Sequence, residues 1–177
     1  MLNSPEYLKY LCERQASTSI GASTARGMGP KGTIQAARKY LKSLDLKRLK
    51  KRSQTAFIEE LEIATGELMN CLPKDHRHWG SARKFINIFL RGCCYNKYLS
   101  AHHKLETIEP WLEVPLDSHV AKGLKLHIGR GELPRWKGVI HLRKDESDKF
   151  QLFAADLAKR DGVNRVDLDV KFWRRVG

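Results

Sequence analysis

SARKFINIFLRGCCYNKYLSA, residues 81–101, is the segment that decides the fold. Apolar side chains occupy nearly every side of the helix that this segment predicts, and such a helix belongs at the centre of a protein. The exceptions are Lys84, Asn87 and Arg91, whose i, i+3 and i+7 spacing places them on one polar stripe. Because a buried charge costs free energy unless it has a partner or a role, this stripe is the first candidate for a functional site.

Amphipathic segments on both sides of this central helix predict an all-α chain of six or seven helices. A Ser at a cap position, a Pro in a first turn and a Gly after a last turn support their limits. Residues 139–142 and 166–170 resemble strands but form no alternating pair, so no sheet is expected. The length predicts a single domain over 1–177, or two lobes divided into 1–72 and 73–177. The other predicted helices cover 3–16, 33–44, 53–72, 119–128, 147–162 and 166–176.

The charge balance indicates that the partner is a nucleic acid. Lys and Arg number 33 against 20 Asp and Glu, which gives a formal net charge of +13 and a pI near 9.8. Each Lys or Arg that contacts a phosphate releases a condensed counterion, so such a surface attracts DNA or RNA. A membrane surface is the weaker alternative, because no basic amphipathic helix with a clean apolar face and no run of about 18 apolar residues is present.

The cysteines and histidines predict a cytoplasmic protein with reduced thiols and without a metal or cofactor. No signal peptide opens the chain, and no two cysteines have CxxC spacing. The histidines also lack the spacing of zinc ligands. The residues considered are Cys12, Cys71, Cys93, Cys94, His76, His78, His102 and His103.

A glycine-rich stretch, GMGPKG at 27–32, precedes one predicted helix. It matches GxGxxG, but no strand comes before it, so it does not indicate a dinucleotide-binding fold. Two interpretations remain open. The backbone N–H groups hold a phosphate, with Gly29, Lys31 and Gly32 as contacts, or the stretch is a flexible loop with turn glycines.

Two segments together, WGSARKFINIFL at 79–90 and LEVPLDSHVAKGL at 112–124, resemble the helix-hairpin-helix DNA glycosylase superfamily. Its bifunctional members carry a Gly-x-x-Arg-Lys-like run, whose Lys is the nucleophile, and a later Val-Asp-Thr-His-Val-like run, whose Asp is catalytic. Gly80, Arg83, Lys84 and Asn87 match the first run, and residues 115–120, PLDSHV, match the second. The long interval between the two runs and the closing VDLDVKFW, 166–173, are most similar to the archaeal 8-oxoguanine glycosylase branch.

The resemblance covers residues 70–177 and implies a glycosylase-like helical arrangement around 81–101, with 73–177 as the catalytic lobe. It implies a DNA-repair enzyme that excises a damaged or modified base from duplex DNA, with or without AP-lyase activity. The chain departs from the family at the hairpin, where Lys74, Asp75 and His76 stand in place of the Gly-Val-Gly of a Leu-Pro-Gly-Val-Gly pattern. It also lacks the iron–sulfur cysteines of some members.

By this resemblance Lys84 attacks C1′ of the sugar and forms a Schiff base, while Asp117 stabilises positive charge on the sugar and helps to deprotonate the amine. The apolar surroundings and the cation of Arg91 are expected to lower the pKa of Lys84. Each residue also has a structural interpretation. Lys84 alone is typical of a solvated or phosphate-contacting side chain, and Asp117 alone is typical of a helix N-cap.

Further candidates follow from the resemblance and from the charge. A flipped base needs aromatic or apolar walls, and the backbone phosphates need cations. Core aromatics and a solvated basic face are the structural alternatives, and a non-catalytic DNA-binding module or an RNA-binding or nuclease-like protein are the functional ones. A monomer is expected. The base-pocket candidates are Trp79, Trp111, His119 and Trp173, and the DNA-binding candidates are Gly29, Lys31, Gly32, Arg83, Asn87, Arg91, Arg130, Arg135 and Lys137.

Overall fold

A computed structural model describes residues 4–129 and 131–173, and every regular element within these ranges is helical. The predicted all-α class is confirmed. Of the two strand-like stretches, one forms a 3₁₀ turn, and the other forms a 3₁₀ turn followed by the last helix. The α-helices are α1 (Pro5–Ser19), α2 (Lys31–Ser43), α3 (Gln54–Cys71), α4 (Trp79–Tyr95), α5 (Lys97–His103), α6 (Ser118–Lys125), α7 (Lys144–Asp161) and α8 (Leu168–Trp173). Short 3₁₀ turns lie at Leu46–Leu49, Lys74–His76, Leu105–Thr107, Glu109–Trp111, Val139–His141 and Arg165–Asp167.

The described residues contain eight α-helices instead of six or seven, because the predicted helix 81–101 is divided in two. Asn96 ends α4 with extended backbone angles, and its side-chain oxygen accepts hydrogen bonds from the N–H groups of Tyr98 and Leu99 at 3.1 and 3.2 Å. An asparagine in this position is a favourable N-cap, worth about 1 kcal/mol to the helix that follows. The prediction of one continuous helix was therefore wrong at this residue.

Other helix limits differ by local capping. Helix α7 begins at Lys144, before the predicted cap at Ser147, because the Glu146 carboxylate accepts a hydrogen bond from the Arg143 N–H at 3.3 Å. Ser147 is consequently buried within the first turn. Helix α1 begins after Ser4, whose hydroxyl caps it, and continues beyond the predicted end at residue 16.

Helix α4 lies at the centre of the fold, as its apolar surface predicted. It packs against α1, α2, α3, α5 and α7, and Phe85, Ile86 and Phe89 on it are fully buried. Buried apolar residues form one core that extends from Leu8 to Leu112 and a second that extends from Val114 to Phe172. Among the described residues after 113, Val139 and Val166 are buried in the first core, and the partly buried Trp136 and Ile140 pack against it. Among the helices described, none is long and apolar enough to cross a membrane.

Candidate active-site cleft

Helix α4 forms the floor of a cleft with a volume of about 1060 Å³. Residues 15–28 supply one wall, and the remaining walls come from residues 115–119, residues 137–141 and α8. A volume of this size is at the upper end of small-molecule sites and can take a base together with its sugar. Of this wall, the sequence analysis gave a role only to the start of the glycine-rich stretch, residues 27 and 28, as a candidate phosphate contact, and it did not place the rest of 15–28 at the site.

The structure brings Lys84 and Asp117 together in this cleft. The Lys84 Nζ atom lies 3.9 Å from Asp117 Oδ2, and it donates a hydrogen bond to the Thr24 carbonyl oxygen at 3.2 Å. Lys84 is only 8% exposed, while more than a quarter of the Asp117 side chain, 28%, is exposed. The amine is therefore largely dehydrated, but it borders a space that a ligand can enter.

Asp117 reaches Lys84 because it is also the N-cap of α6. Its Oδ1 atom accepts hydrogen bonds from the N–H groups of His119 and Val120 at 2.9 and 3.0 Å. Because Oδ1 accepts both capping hydrogen bonds, the other oxygen, Oδ2, faces Lys84. The structural interpretation of Asp117 is confirmed, and it is compatible with the functional one because each oxygen has a different neighbour.

The extended segment before Asp117 is held by side chains instead of by a strand partner. Arg165 donates to the carbonyl oxygens of Trp111 and Leu112 at 2.7 and 3.0 Å. Gln151 donates to the carbonyl of Val114 at 2.8 Å and accepts from its N–H at 3.1 Å. Buried backbone groups outside regular structure need such partners, and together these bonds fix the path of the chain towards Asp117.

Arg83 and Asn87 lie in the interior, where their side chains do not reach the surface. This corrects their assignment as DNA contacts. Both donate to the buried carboxylate of Glu113, each at 2.9 Å, and Arg83 also donates to Thr65 Oγ1 at 2.7 Å. Their exposures are 2% and 3%. Sequence reasoning missed Glu113, although a single carboxylate within the apolar run WLEVPL is a signal for a buried partner of a cation.

Burial is the main cause of the altered electrostatics at Lys84. It lowers the pKa of Lys84 from its ordinary value, and the carboxylate of Asp117 opposes this shift. Arg91 was expected to add to the decrease, but its guanidinium forms an ion pair with Asp169 on α8. Burial likewise lowers the pKa of Arg91 itself.

Two of the four base-pocket candidates lie on the cleft. His119 and Trp173 line it, and Trp173 is 76% exposed. The other two are occupied in packing, which removes them from the pocket. The Trp79 ring lies under the guanidinium of Arg83 and donates its N–H to Glu62, while Trp111 packs beside Phe57.

The candidate DNA contacts are only partly gathered at the cleft. Arg91 and Lys137 line it. Arg135 is exposed outside its lining, and the glycine-rich stretch contributes only its first two residues, 27 and 28, to the wall. Arg130 lies outside the described residues. Cations still exceed anions in the lining, where the charged residues are Arg26, Lys84, Arg91, Lys137, Asp117 and Asp169.

Gly29, Lys31 and Gly32 lie beyond the cleft wall, exposed where α2 begins. Pro30 takes the N-cap position there and offers no side-chain hydrogen bond. Gly29 adopts φ +144°, a conformation that favours glycine, and it packs closely against Thr33 and His76. These contacts give Gly29 a steric role, and they leave the assignment of the stretch to phosphate binding as a prediction.

The cysteines are free thiols, and the two that lie on α4, Cys93 and Cys94, are buried. Within residues 4–129 and 131–173, no three His, Cys, Asp or Glu side chains are grouped as metal ligands. The four cysteines form no disulfide. Burial raises the pKa of Cys94 to about 12 and that of Cys93 well above its ordinary value, so neither is a thiolate at neutral pH.

The arrangement as a whole offers an amine, a carboxylate and a cavity with excess positive charge. Such an arrangement suits nucleophilic attack on an electrophilic carbon of an anionic ligand, because the amine is poised and the phosphates are attracted. Comparison with protein families, curated proteins and solved structures found no match. The function is therefore argued from the cleft.

Proposed function

We propose that this protein is a DNA glycosylase with AP-lyase activity, in which Lys84 is the nucleophile and Asp117 its charge partner. The observation that carries the proposal is the 3.9 Å separation of Lys84 Nζ and Asp117 Oδ2 inside one cleft. The two residues are far apart in the chain, and their meeting in a nucleoside-sized space is what a shared catalytic role requires.

The first chemical step joins the amine to the sugar. The ammonium of Lys84 passes a proton through Asp117 to the departing base, so Asp117 is again a carboxylate when the neutral amine attacks C1′ and the glycosidic bond breaks. The base leaves with the bonding electron pair and takes up a proton. Positive charge develops on the sugar in this step, and the Asp117 carboxylate stabilises it. The lowered pKa of Lys84 supports this role because it increases the fraction of neutral amine.

The second step breaks the DNA strand. The sugar ring opens to give a protonated Schiff base between Lys84 and C1′, which withdraws electrons from C2′. Loss of a proton from C2′ then expels the 3′ phosphate by β-elimination. Water hydrolyses the Schiff base and regenerates the amine. The two steps therefore need no oxidant, reductant or cofactor.

Access to Lys84 requires the target nucleotide to leave the stack. The exposed ring of Trp173 at the cleft offers a surface on which a base can stack, and Arg26 and Lys137 offer charge for the flanking phosphates. The net charge of +13 supports a polyanionic partner independently of the cleft.

Borohydride trapping on duplex DNA with an abasic site tests the nucleophile. We expect a covalent adduct with the wild-type protein and none with Lys84→Gln. Lys149→Gln is the matched control, because Lys149 is an exposed lysine on α7 and is not part of the cleft lining. The control variant should form the adduct as efficiently as the wild type.

A panel of duplexes with single damaged or modified bases separates the remaining outcomes. Release of a free base without an adduct would restrict the proposal to a glycosylase that uses water as nucleophile. Absence of both base release and adduct on every substrate would contradict the enzyme and leave a non-catalytic binding protein. The affinities for duplex DNA and for RNA at several salt concentrations then identify its partner.

A further inference from the structure

The amine of Lys84 has a hydrogen-bond partner that lies outside the part of the chain with the glycosylase resemblance. This partner is the backbone carbonyl oxygen of Thr24, which accepts from Lys84 Nζ at 3.2 Å. Thr24 belongs to the turn at 21–28 that connects α1 with the glycine-rich stretch. The shortest polar contact of the amine is therefore with the N-terminal wall, and its distance to Asp117 is longer.

Hydrogen bonds and burial fix this turn on both sides of Thr24. The Ala25 N–H donates to the Gly21 carbonyl, and the Met28 N–H donates to the Ala25 carbonyl, each at 3.0 Å. The Thr24 hydroxyl donates to the carbonyl of Ser19 at 3.2 Å. Ala25 and Met28 are buried in the first core, at 7% and 4% exposure.

A second anchor lies just before the turn. Arg38 on α2 donates its Nε–H to the Ile20 carbonyl at 2.8 Å, which ties the end of α1 to the next helix. At the other end, Gly27 adopts φ +72°, a conformation that strongly favours glycine. The Thr24 carbonyl is thus a preorganised acceptor that does not need to move when a ligand enters.

We propose that the Thr24 carbonyl is a positioning group for Lys84, and that it orients the amine for attack. The three substituent positions on Nζ beyond the side chain are related by rotation about Cε–Nζ. One N–H that donates to Thr24 stops this rotation, so that one of the other two positions faces Asp117 and the last faces the open cleft. When Asp117 takes the proton that faces it, the lone pair of the neutral amine is left in that position, on the side of the cleft that Asp117 borders, and the amine attacks C1′ from there.

This role rests on the proposed function for its chemical meaning, but its physical effect exists in the free protein. A carbonyl that accepts from nitrogen stabilises the ammonium more than the neutral amine. We therefore expect its effect on the pKa of Lys84 to oppose that of burial, which lowers this pKa. The other charged or titratable groups that line the same cleft are Arg26, Arg91, Tyr95, Asp117, His119, Lys137, His141 and Asp169.

An ester bond in place of the 24–25 amide tests the proposal. Replacing Ala25 with lactic acid, Ala25→lactic acid, keeps every side chain and makes the Thr24 carbonyl a weaker acceptor. It also removes the Ala25 N–H that donates to Gly21, and the Thr24→Val variant below measures the effect of loosening the turn while the amide carbonyl is kept. The pKa of Lys84 is read from the ¹³Cε resonance of labelled lysine during a pH titration, with Lys84→Gln to assign the resonance. We expect the pKa of Lys84 to fall by about one unit.

Ala22→lactic acid is the matched control, because Ala22 is exposed in the same turn. An ester at this position leaves the amide carbonyl of Thr24 unchanged. It should leave the pKa of Lys84 where it is in the wild type. Thr24→Val gives a second variant that is made by ordinary mutagenesis. It loses the bond to Ser19, loosens the carbonyl, and should shift the pKa of Lys84 in the same direction by a smaller amount.

The titration needs no substrate, so its result is separate from that of the trapping experiment. An unchanged pKa of Lys84 in the Ala25→lactic acid protein, or a shift equal to that of the control, would overturn the positioning role. A wild-type protein that forms no adduct would overturn the proposed lyase while leaving the measured contact intact. If both hold, the initial rate of adduct formation per neutral amine, which is the observed rate divided by the neutral fraction taken from the titration, should fall about tenfold in the Ala25→lactic acid protein, with no change in the Ala22 control.

Discussion

Arg83 and Lys84 are neighbours on α4, and both are almost fully buried, yet their surroundings are opposite. The Arg83 guanidinium donates to Glu113 and to Thr65 and lies 5.0 Å from the centre of the Trp79 ring. The Lys84 amine has one carbonyl at 3.2 Å and a carboxylate at 3.9 Å. One cation is saturated with partners, and the other is held near a partner that it does not fully contact.

The difference separates a cation that stabilises the fold from a cation that is available for chemistry. A buried guanidinium with a full set of partners fixes the elements that supply them, and here it ties α3 and the extended segment at Glu113 to α4. A buried amine with incomplete pairing costs stability, and such a cost is retained where the group has a function. Arg83 also holds the segment that carries Asp117, so under the proposed function it positions the partner of the nucleophile.

Glu113→Leu should have the largest effect on stability, because it leaves the Arg83 guanidinium buried without its carboxylate. We expect the free energy of unfolding in urea to fall by about 3–5 kcal/mol. Arg83→Met combined with Glu113→Leu is the control, and it should recover most of this loss because no unpaired charge remains. A loss below about 1 kcal/mol in the single variant would show that Arg83 finds other partners. The pairing of Arg83 would then not depend on Glu113, and the contrast between Arg83 and Lys84 would be weaker than described.

Asp117→Ala and Asp117→Asn should divide the two roles of that side chain, with a smaller effect on stability. Alanine removes the cap of α6, so the free energy of unfolding should fall by about 1–2 kcal/mol. Asparagine is an equally good cap and should change it by less than about 0.5 kcal/mol. Both variants lose the carboxylate, and we expect base excision to slow by about a hundredfold or more in each. Excision at the wild-type rate by Asp117→Asn would assign the residue to capping alone.

The fold class and the position of α4 could be predicted because helical periodicity is a local property of the sequence. The break at Asn96 was missed because apolar residues continue past it in the sequence. The structure shows that the Asn96 side chain accepts hydrogen bonds from the N–H groups of Tyr98 and Leu99, which starts a new helix. The early start of α7 has the same kind of cause, a carboxylate that reaches back to the preceding backbone. Local capping thus decides limits that periodicity leaves open.

The candidate site was predictable only where two motifs marked it. Lys84 and Asp117 could be paired from the resemblance, but Arg83 and Asn87 in the same motif could not be assigned to the interior without Glu113, which is distant in the chain. The wall at 15–28 reaches Lys84 through a backbone carbonyl, and a carbonyl leaves no signature in the residue type. Contacts of this kind depend on tertiary packing and not on spacing.

Lys84→Met should have the smallest effect, and its sign with pH distinguishes the two cations. At a pH below the folded-state pKa of Lys84, its ammonium is buried with incomplete pairing, so we expect the variant to be as stable as the wild type there or more stable by about 1 kcal/mol. The folded-state pKa of Lys84 lies below its ordinary value of 10.5. Between these two values the unfolded chain binds more protons than the folded one, and the free energy of unfolding of the wild type therefore rises with pH relative to the variant. Urea denaturation at several pH values up to about 10.5 measures this slope, with Lys149→Met as the exposed control. Parallel curves for the wild type and Lys84→Met would mean that the amine titrates as if it were in water, and the contrast with Arg83 would then lose its basis.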